Sequence, residues 1–199
     1  MTEIEIGRLL RAGTTGFTAG CRVSQFTVPA FGELVRAPLG DSYQVYGLIY
    51  DIHIDDDGLV RQLVTSENIS DEVLKDNRER RIVPVEMSVL SVGYEQDGKI
   101  YHLLPPRPPL SLDVIYLCDS KDVARFTSAG RFGYFRHILG ARELPIGEVI
   151  SAHLSQASEA HGKNGIQWKE AATHELITSL RDDYSTLMSV LGALSDVSY

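Results

Sequence analysis

The chain has 199 residues, a formal net charge of −8 and two cysteines, Cys21 and Cys118. No apolar run approaches the roughly 18 residues that a membrane-spanning helix needs, and two cysteines are too few for a disulfide framework. We therefore expect a cytoplasmic protein with reduced thiols, built as one domain or as a domain with an appendage.

The negative charge is concentrated in the first part of the sequence. Residues 1–119 hold 18 of the 27 acidic residues but only 11 of the 19 basic ones. Nucleic-acid binding needs clustered lysines and arginines that neutralise phosphates. This part of the chain is therefore a poor candidate for a general nucleic-acid binder.

In the first half, apolar and polar residues alternate over short segments, as in half-buried strands. The predicted strands cover residues 4–11, 21–28, 43–54, 59–64, 82–94 and 100–104. Gly7 and Gly47 interrupt the alternation and predict β-bulges. Asp-Gly pairs at residues 57–58 and 97–98 predict hairpin turns. Short strands joined by tight turns, without long helices between them, predict a small antiparallel barrel.

Two segments within residues 55–81 are more polar. Residues 55–58 begin like a calcium loop, but Ser66 stands where that loop places its twelfth-position acid, so the hairpin turn is preferred. Ser70 is expected to cap a short helix, whose charged residues would face solvent.

A proline-rich segment at residues 104–110 precedes the last strand-like run, residues 113–117. Proline lacks an amide donor and has a fixed φ, so these residues cannot lie in a central strand or a helix. We predict a stiff, extended crossing that closes the sheet. A polyproline docking motif is the alternative, although the flanking strands leave it little room.

The pattern after residue 119 is helical. Ser120 is expected to cap a short helix over residues 121–126. Apolar residues then share one helical face over residues 146–160 and again over residues 167–194. These two segments predict a helical hairpin. The predicted fold is therefore α+β, with a small antiparallel β-barrel over residues 1–119 and a C-terminal helical hairpin within residues 120–199.

The last predicted helix carries the most regular apolar spacing in the chain. Its 4-3-4-3 rhythm is typical of a coiled-coil seam. The seam consists of Leu180, Tyr184, Leu187, Leu191 and Leu194. It can lie against the barrel, the preceding helix or a second subunit, and we prefer a second subunit or a protein partner.

Residues 125–142 mix arginines with aromatic residues and contain no acid. This composition suits a single-stranded nucleic acid, whose bases stack on aromatic rings. The residues that would bind it are Arg125, Arg131, Phe132, Tyr134, Arg136 and Arg142. The preferred interpretation is that the rings pack between barrel and helices while the arginines pair with barrel acids.

Catalytic signatures are missing from the sequence. It has no Walker A loop, no GxSxG or HExxH motif and no paired CxxC. The six histidines are scattered, and the one close pair, Asp51 with His53, lacks a third catalytic group. We therefore predict no catalytic residue, no metal site and no cofactor, and we identify no small-molecule substrate.

Five segments carry a resemblance to a known barrel. They are residues 6–10, 32–35, 45–49, 104–109 and 113–117. In these segments the chain resembles the HAS-barrel, the N-terminal β-barrel of HerA-type translocating ATPases and of the α and β subunits of F-type ATP synthases. In that family the barrel helps to build a ring and to dock partners, and an ATPase domain follows. Here a helical region follows instead, so the resemblance implies assembly or docking without nucleotide hydrolysis.

These observations predict a non-enzymatic assembly or adaptor protein, with a protein partner or a second copy of itself and no membrane contact. The alternative is a nucleic-acid-associated accessory factor of a HerA-type DNA-processing system, acting through residues 125–142.

Overall fold

The computed structural model describes residues 3–23, 29–40, 42–54, 70, 83–142 and 144–197. Its strands are β1 (Ile4–Ala12), β2 (Gly16–Val23), β3 (Leu34–Pro38), β4 (Tyr43–Ile54), β5 (Val83–Gln96), β6 (Lys99–Tyr101) and β7 (Val114–Leu117). Its helices are α1 (Ser120–Ser128), α2 (Phe135–Leu139), α3 (Ile146–Ala160), α4 (Gly165–Ser179) and α5 (Tyr184–Asp196), with a 3₁₀ turn at Gly162–Asn164. The turn predicted at residues 55–58, the strand at 59–64 and the helix after Ser70 lie outside the described residues.

Six antiparallel strands close into a barrel in the order β2-β1-β7-β3-β4-β5, and β5 pairs back to β2. The short strand β6 extends β5 as a hairpin outside this ring. The helices follow the last strand, so the predicted α+β fold of a barrel followed by C-terminal helices is confirmed. None of the helices in the described residues combines the length and apolar character needed to cross a bilayer.

A register shift lies at each of the two glycines where a bulge was predicted, but at Gly47 the extra residue is Val92 of β5 and not a residue of β4. The pairing register shifts between Glu5 and Gly7 on β1 and between Tyr46 and Gly47 on β4. At Gly47, a Cβ atom would lie 2.9 Å from the carbonyl oxygen of Leu90 and would overlap the side chain of Val89. Only glycine lets the strands approach this closely.

The predicted hairpin at residues 97–98 is confirmed. Asp97 and Gly98 both have positive φ, at 52° and 78°, as a tight two-residue hairpin turn requires. The proline-rich crossing contains no strand or helix between β6 and β7. The Tyr43 hydroxyl donates to the carbonyl oxygen of Arg107 at 3.0 Å and anchors the crossing to β4.

Two apolar cores lie on opposite faces of the barrel wall. Alternating residues of β4 show the division: Val45 and Ile49 point into the barrel, whereas Tyr46 and Leu48 point outwards and pack against the helices. Residues on opposite faces of a strand alternate, so each core uses every second residue. The outer core crosses from the barrel into the helical region.

The predicted helix at residues 146–160 is confirmed as α3, but two other helix predictions need correction. The first C-terminal helix is capped by Asp119, whose Oδ1 accepts from the amides of Lys121 and Asp122 at 2.8 Å, and not by Ser120. The continuous helix predicted over residues 167–194 is divided into α4 and α5. Asp183 caps α5 by accepting from the amide of Thr186 at 3.1 Å, and this local cap competes with helix continuation.

Candidate functional site

The predicted seam does not lie on one surface. Leu180 and Leu194 are buried in the outer core of the chain, and Leu187 packs partly against it. Leu191 is half-buried, whereas Tyr184 is 72% exposed. The break between α4 and α5 separates Leu180 from the others, so the 4-3 spacing does not run along a single helix. A partner-binding role for these residues stays a prediction, and Tyr184 is the member most accessible to a partner.

The C-terminal helices nevertheless leave other apolar side chains in water. On α5, Met188 lies one turn after Tyr184 and is 49% exposed. On α4, Ile166 is 75% exposed and Ile177 is 42% exposed. Each exposed branched side chain forgoes part of the roughly 1.5–3 kcal/mol that full burial would contribute.

One cavity, which we call the α4 groove, is lined by Ile166, Thr173, Ile177 and Val197. Its volume is about 820 Å³, and Ser158 of α3 also contributes to its wall. Helices α4 and α5 each pack against α3 but scarcely contact one another. The groove therefore runs along a helix flank that no described part of the chain covers. The sequence did not predict this groove, because Ile166 and Ile177 lie next to the helix face that was predicted to be buried and not on it.

The aromatic residues of the basic segment mostly pack inside the protein. Tyr134 and Phe126 are fully buried, with ring centroids 5.3 Å apart. Phe132 is half-buried between Phe135 and Trp168, at centroid distances of 5.4 and 5.7 Å. This placement agrees with the packing interpretation that the sequence favoured, because buried rings offer no stacking platform for bases.

The arginines of this segment divide into two groups. Arg125 forms an ion pair with Glu95 at 2.6 Å, and Arg136 donates to the carbonyl oxygen of His102. Arg131 and Arg142 are exposed and have no hydrogen-bond or ion-pair partner among the described residues. Only these two arginines of the described segment remain available to an external anion.

Arg125 belongs to a polar network on the outer face of the barrel. Glu95 accepts from Arg125, from the amide of Gln44 at 2.6 Å and from the Tyr46 hydroxyl at 2.9 Å. These bonds, led by the one from Arg125, lower the pKa of Glu95. Burial raises the pKa of Tyr46, and the adjacent Glu95 raises it further. The network holds α1 against β4 and β5, which is a structural role.

Histidines also lie where the barrel meets the helices. His153 is almost completely buried, and its Nε2 lies 3.1 Å from the Tyr134 hydroxyl. Burial lowers the pKa of His153 to about 4. His102 is buried as well, with its Nε2 3.0 Å from the carbonyl oxygen of Phe126, and burial lowers its pKa. Neutral imidazoles are therefore part of the folded structure near neutral pH.

These groups do not assemble into a metal centre. Within the part of the chain that the structure describes, no three His, Cys, Asp or Glu side chains are arranged to hold a metal ion. Asp51 and His53, the pair singled out in the sequence, lie on β4 opposite Ser88 and Glu86 of β5. The α4 groove is thus the candidate site with the clearest physical rationale, namely uncovered apolar surface.

Comparison with models of known protein families finds no match to this chain, and comparison with curated proteins finds no similar sequence. The structure establishes an antiparallel barrel. The comparisons do not assign this barrel to the HAS-barrel family.

Proposed function

We propose that this protein is a non-enzymatic adaptor whose barrel is a rigid scaffold and whose α4 groove docks a protein partner. The observation that carries the proposal is the set of uncovered apolar side chains along α4. Contiguous exposed apolar surface rimmed by polar residues marks interaction sites in proteins. Lys169, Glu170 and His174 supply that polar rim.

An amphipathic helix is the occupant that fits this groove. α4 and α5 both pack against α3, and helix bundles bury their apolar faces by adding a further helix. Ile166, Thr173 and Ile177 follow one another at the helical spacing along which a groove receives the anchors of a docked helix. The partner helix can belong to a second copy of this chain or to another protein.

The barrel part of the proposal is a HAS-like scaffold. Four of the five segments that carry the resemblance include residues of β1, β3, β4 and β7. These strands are consecutive in the barrel, in the order β1-β7-β3-β4. The resemblance therefore concerns one continuous wall, which supports a common scaffold. Hydrolysis of ATP by the purified protein would contradict the non-enzymatic part of this proposal.

The test places a charge in the groove. Ile177→Asp adds a carboxylate to the groove wall, and Ala171→Asp adds the same charge to an exposed position of α4 that does not line the groove. Sedimentation over a range of concentrations and photo-crosslinking from position 166 in cell extract measure self-association and partner capture. We expect Ile177→Asp to abolish the association or the crosslinked partner and Ala171→Asp to retain it. Equal behaviour of the two variants, or the absence of any association and any reproducible partner, overturns the proposal.

A further inference from the structure

A second cavity, separate from the α4 groove, lies between the barrel wall and the residues that follow α2. Its volume is about 720 Å³, within the range of small-molecule sites in proteins. Its walls come from the β1–β2 hairpin, from β4 and β5, and from residues 140–142 and 144. We call it the junction cavity. Sequence reasoning did not find it because its residues are distant along the chain.

The charged residues among the described lining of the junction cavity are both cationic, opposite in sign to the net charge of the protein. Arg11 and Arg142 line it, and no Asp or Glu is among its described lining residues. Asp51 pairs with Ser88 across β4 and β5 but does not line the cavity. In a chain of net charge −8, a cavity whose described lining residues include two cations and no carboxylate is a candidate site of attraction for anions.

Neither guanidinium group forms an ion pair with a carboxylate of the described residues. The Nε of Arg11 donates to the Thr18 hydroxyl at 3.1 Å, which orients the side chain while its terminal nitrogens have no partner among the described residues. Arg142 has no hydrogen-bond or ion-pair partner in the described chain. By contrast, Arg36 and Arg125 form ion pairs with carboxylates. An unpaired guanidinium presents the planar fork that matches a phosphate or carboxylate group.

The rest of the lining suits the body of a small ligand. Thr15 and Ser88 offer hydroxyl groups, while Phe17, Tyr50 and Leu144 provide aromatic and aliphatic surface. Small-molecule sites commonly combine an apolar wall with a few polar groups that fix orientation. We propose that the junction cavity binds a small organic anion, in which a phosphate or carboxylate group meets Arg11 and Arg142 and an apolar body lies against the barrel wall.

The test uses phenyl phosphate, benzoate and inorganic phosphate as probes, titrated into the full chain at constant ionic strength and followed by NMR chemical shifts. We expect saturable binding of phenyl phosphate or benzoate that perturbs the amides of residues 13–18 and 140–142, and weaker binding of inorganic phosphate. The comparison between the first two probes distinguishes a phosphate ligand from a carboxylate ligand. No saturable binding of either organic anion overturns the proposal.

Matched arginine variants locate the site. Arg142→Ala and Arg11→Ala are each expected to weaken binding by about tenfold or more, since a charge-assisted hydrogen bond is lost. Arg131→Ala removes another exposed arginine that has no partner among the described residues and does not line the cavity, and it should leave affinity unchanged. Equal losses in all three variants would show non-specific charge attraction and overturn the site. Tight binding of a short single-stranded oligonucleotide without binding of the organic anions would overturn it as well, in favour of a nucleic-acid surface.

Discussion

The barrel and the C-terminal helices differ in how completely they bury their apolar side chains. The barrel closes upon itself, and inward-pointing side chains at its centre, such as Leu9, Val35 and Ile49, are completely buried. The helices bury one face on the outside of that barrel but leave Ile166 and Tyr184 more than two-thirds exposed. A closed barrel has no free strand edge, whereas α4 and α5 pack separately against α3 and leave a groove along α4. This difference underlies the proposal that the barrel is a scaffold and that the α4 groove docks a partner.

The largest expected effect concerns the core shared by the two regions. Tyr134→Ala removes a fully buried ring that contacts Phe126, Phe135 and His153. We expect the free energy of unfolding to fall by about 3–5 kcal/mol, as for other large buried aromatic side chains. Tyr184→Ala, at an exposed tyrosine, should change it by less than about 0.5 kcal/mol.

The same experiment tests whether the two regions unfold together. The single tryptophan of the chain, Trp168, lies on α4 and reports on the helices, and the β-signal in circular dichroism reports on the barrel. Because the outer core spans both regions, the two signals should give one transition in urea, in the wild type and in Tyr134→Ala. Two separated transitions would show that the barrel and the helices are independent.

The next effect depends on pH and concerns the junction of the two regions. Burial lowers the pKa of His153 to about 4 from an unperturbed 6.5, so the unfolded chain binds more protons than the folded chain between these values. Stability should therefore fall as the pH drops from about 6.5 towards 4, by up to ~3 kcal/mol from this group.

A variant can assign this pH dependence. His153→Gln removes the imidazole and keeps a side chain that can hydrogen-bond Tyr134, so the stability of this variant should decline less steeply between pH 7 and 5. The control, His174→Gln, changes an exposed histidine of α4 and should keep the wild-type slope. Chemical denaturation at several pH values measures both. Identical slopes for His153→Gln and the wild type would exclude His153 as the cause.

The smallest effects compare a glycine from each region. In Gly47→Ala, the new methyl group overlaps β5 inside the barrel wall, and we expect a loss of about 1–3 kcal/mol. Gly192 lies on the exposed side of α5, where a Cβ atom would have no described neighbour within 4 Å, so Gly192→Ala should add up to ~1 kcal/mol through helix propensity. Thermal unfolding of both variants gives the sign of each change. A stabilising Gly47→Ala would contradict the close strand approach.

The elements that local rules specify could be read from the sequence. Residues 146–160 have an uninterrupted helical period and form a helix with those bounds. Gly7 interrupts the apolar pattern of the first strand, and a register shift with its extra residue on that strand lies there. The end of α4 was missed, although Asp183 followed by Thr186 is a recognisable helix start. The regular leucine spacing continues across this helix end, and apolar periodicity alone does not show where a helix stops.

The candidate sites depended on contacts between distant segments. The sequence alone determined the acidic charge balance, the strand and helix patterns and the basic aromatic segment. Tertiary structure decided that Tyr134 is buried while Arg142 is unpaired among the described residues. It also placed Arg142 on the wall of the same cavity as Arg11, which is 131 positions earlier in the chain. It also decided that Leu194 is covered while Ile166 is not. Local spacing determines which residues share a face, but only the packing of whole elements determines which faces are covered.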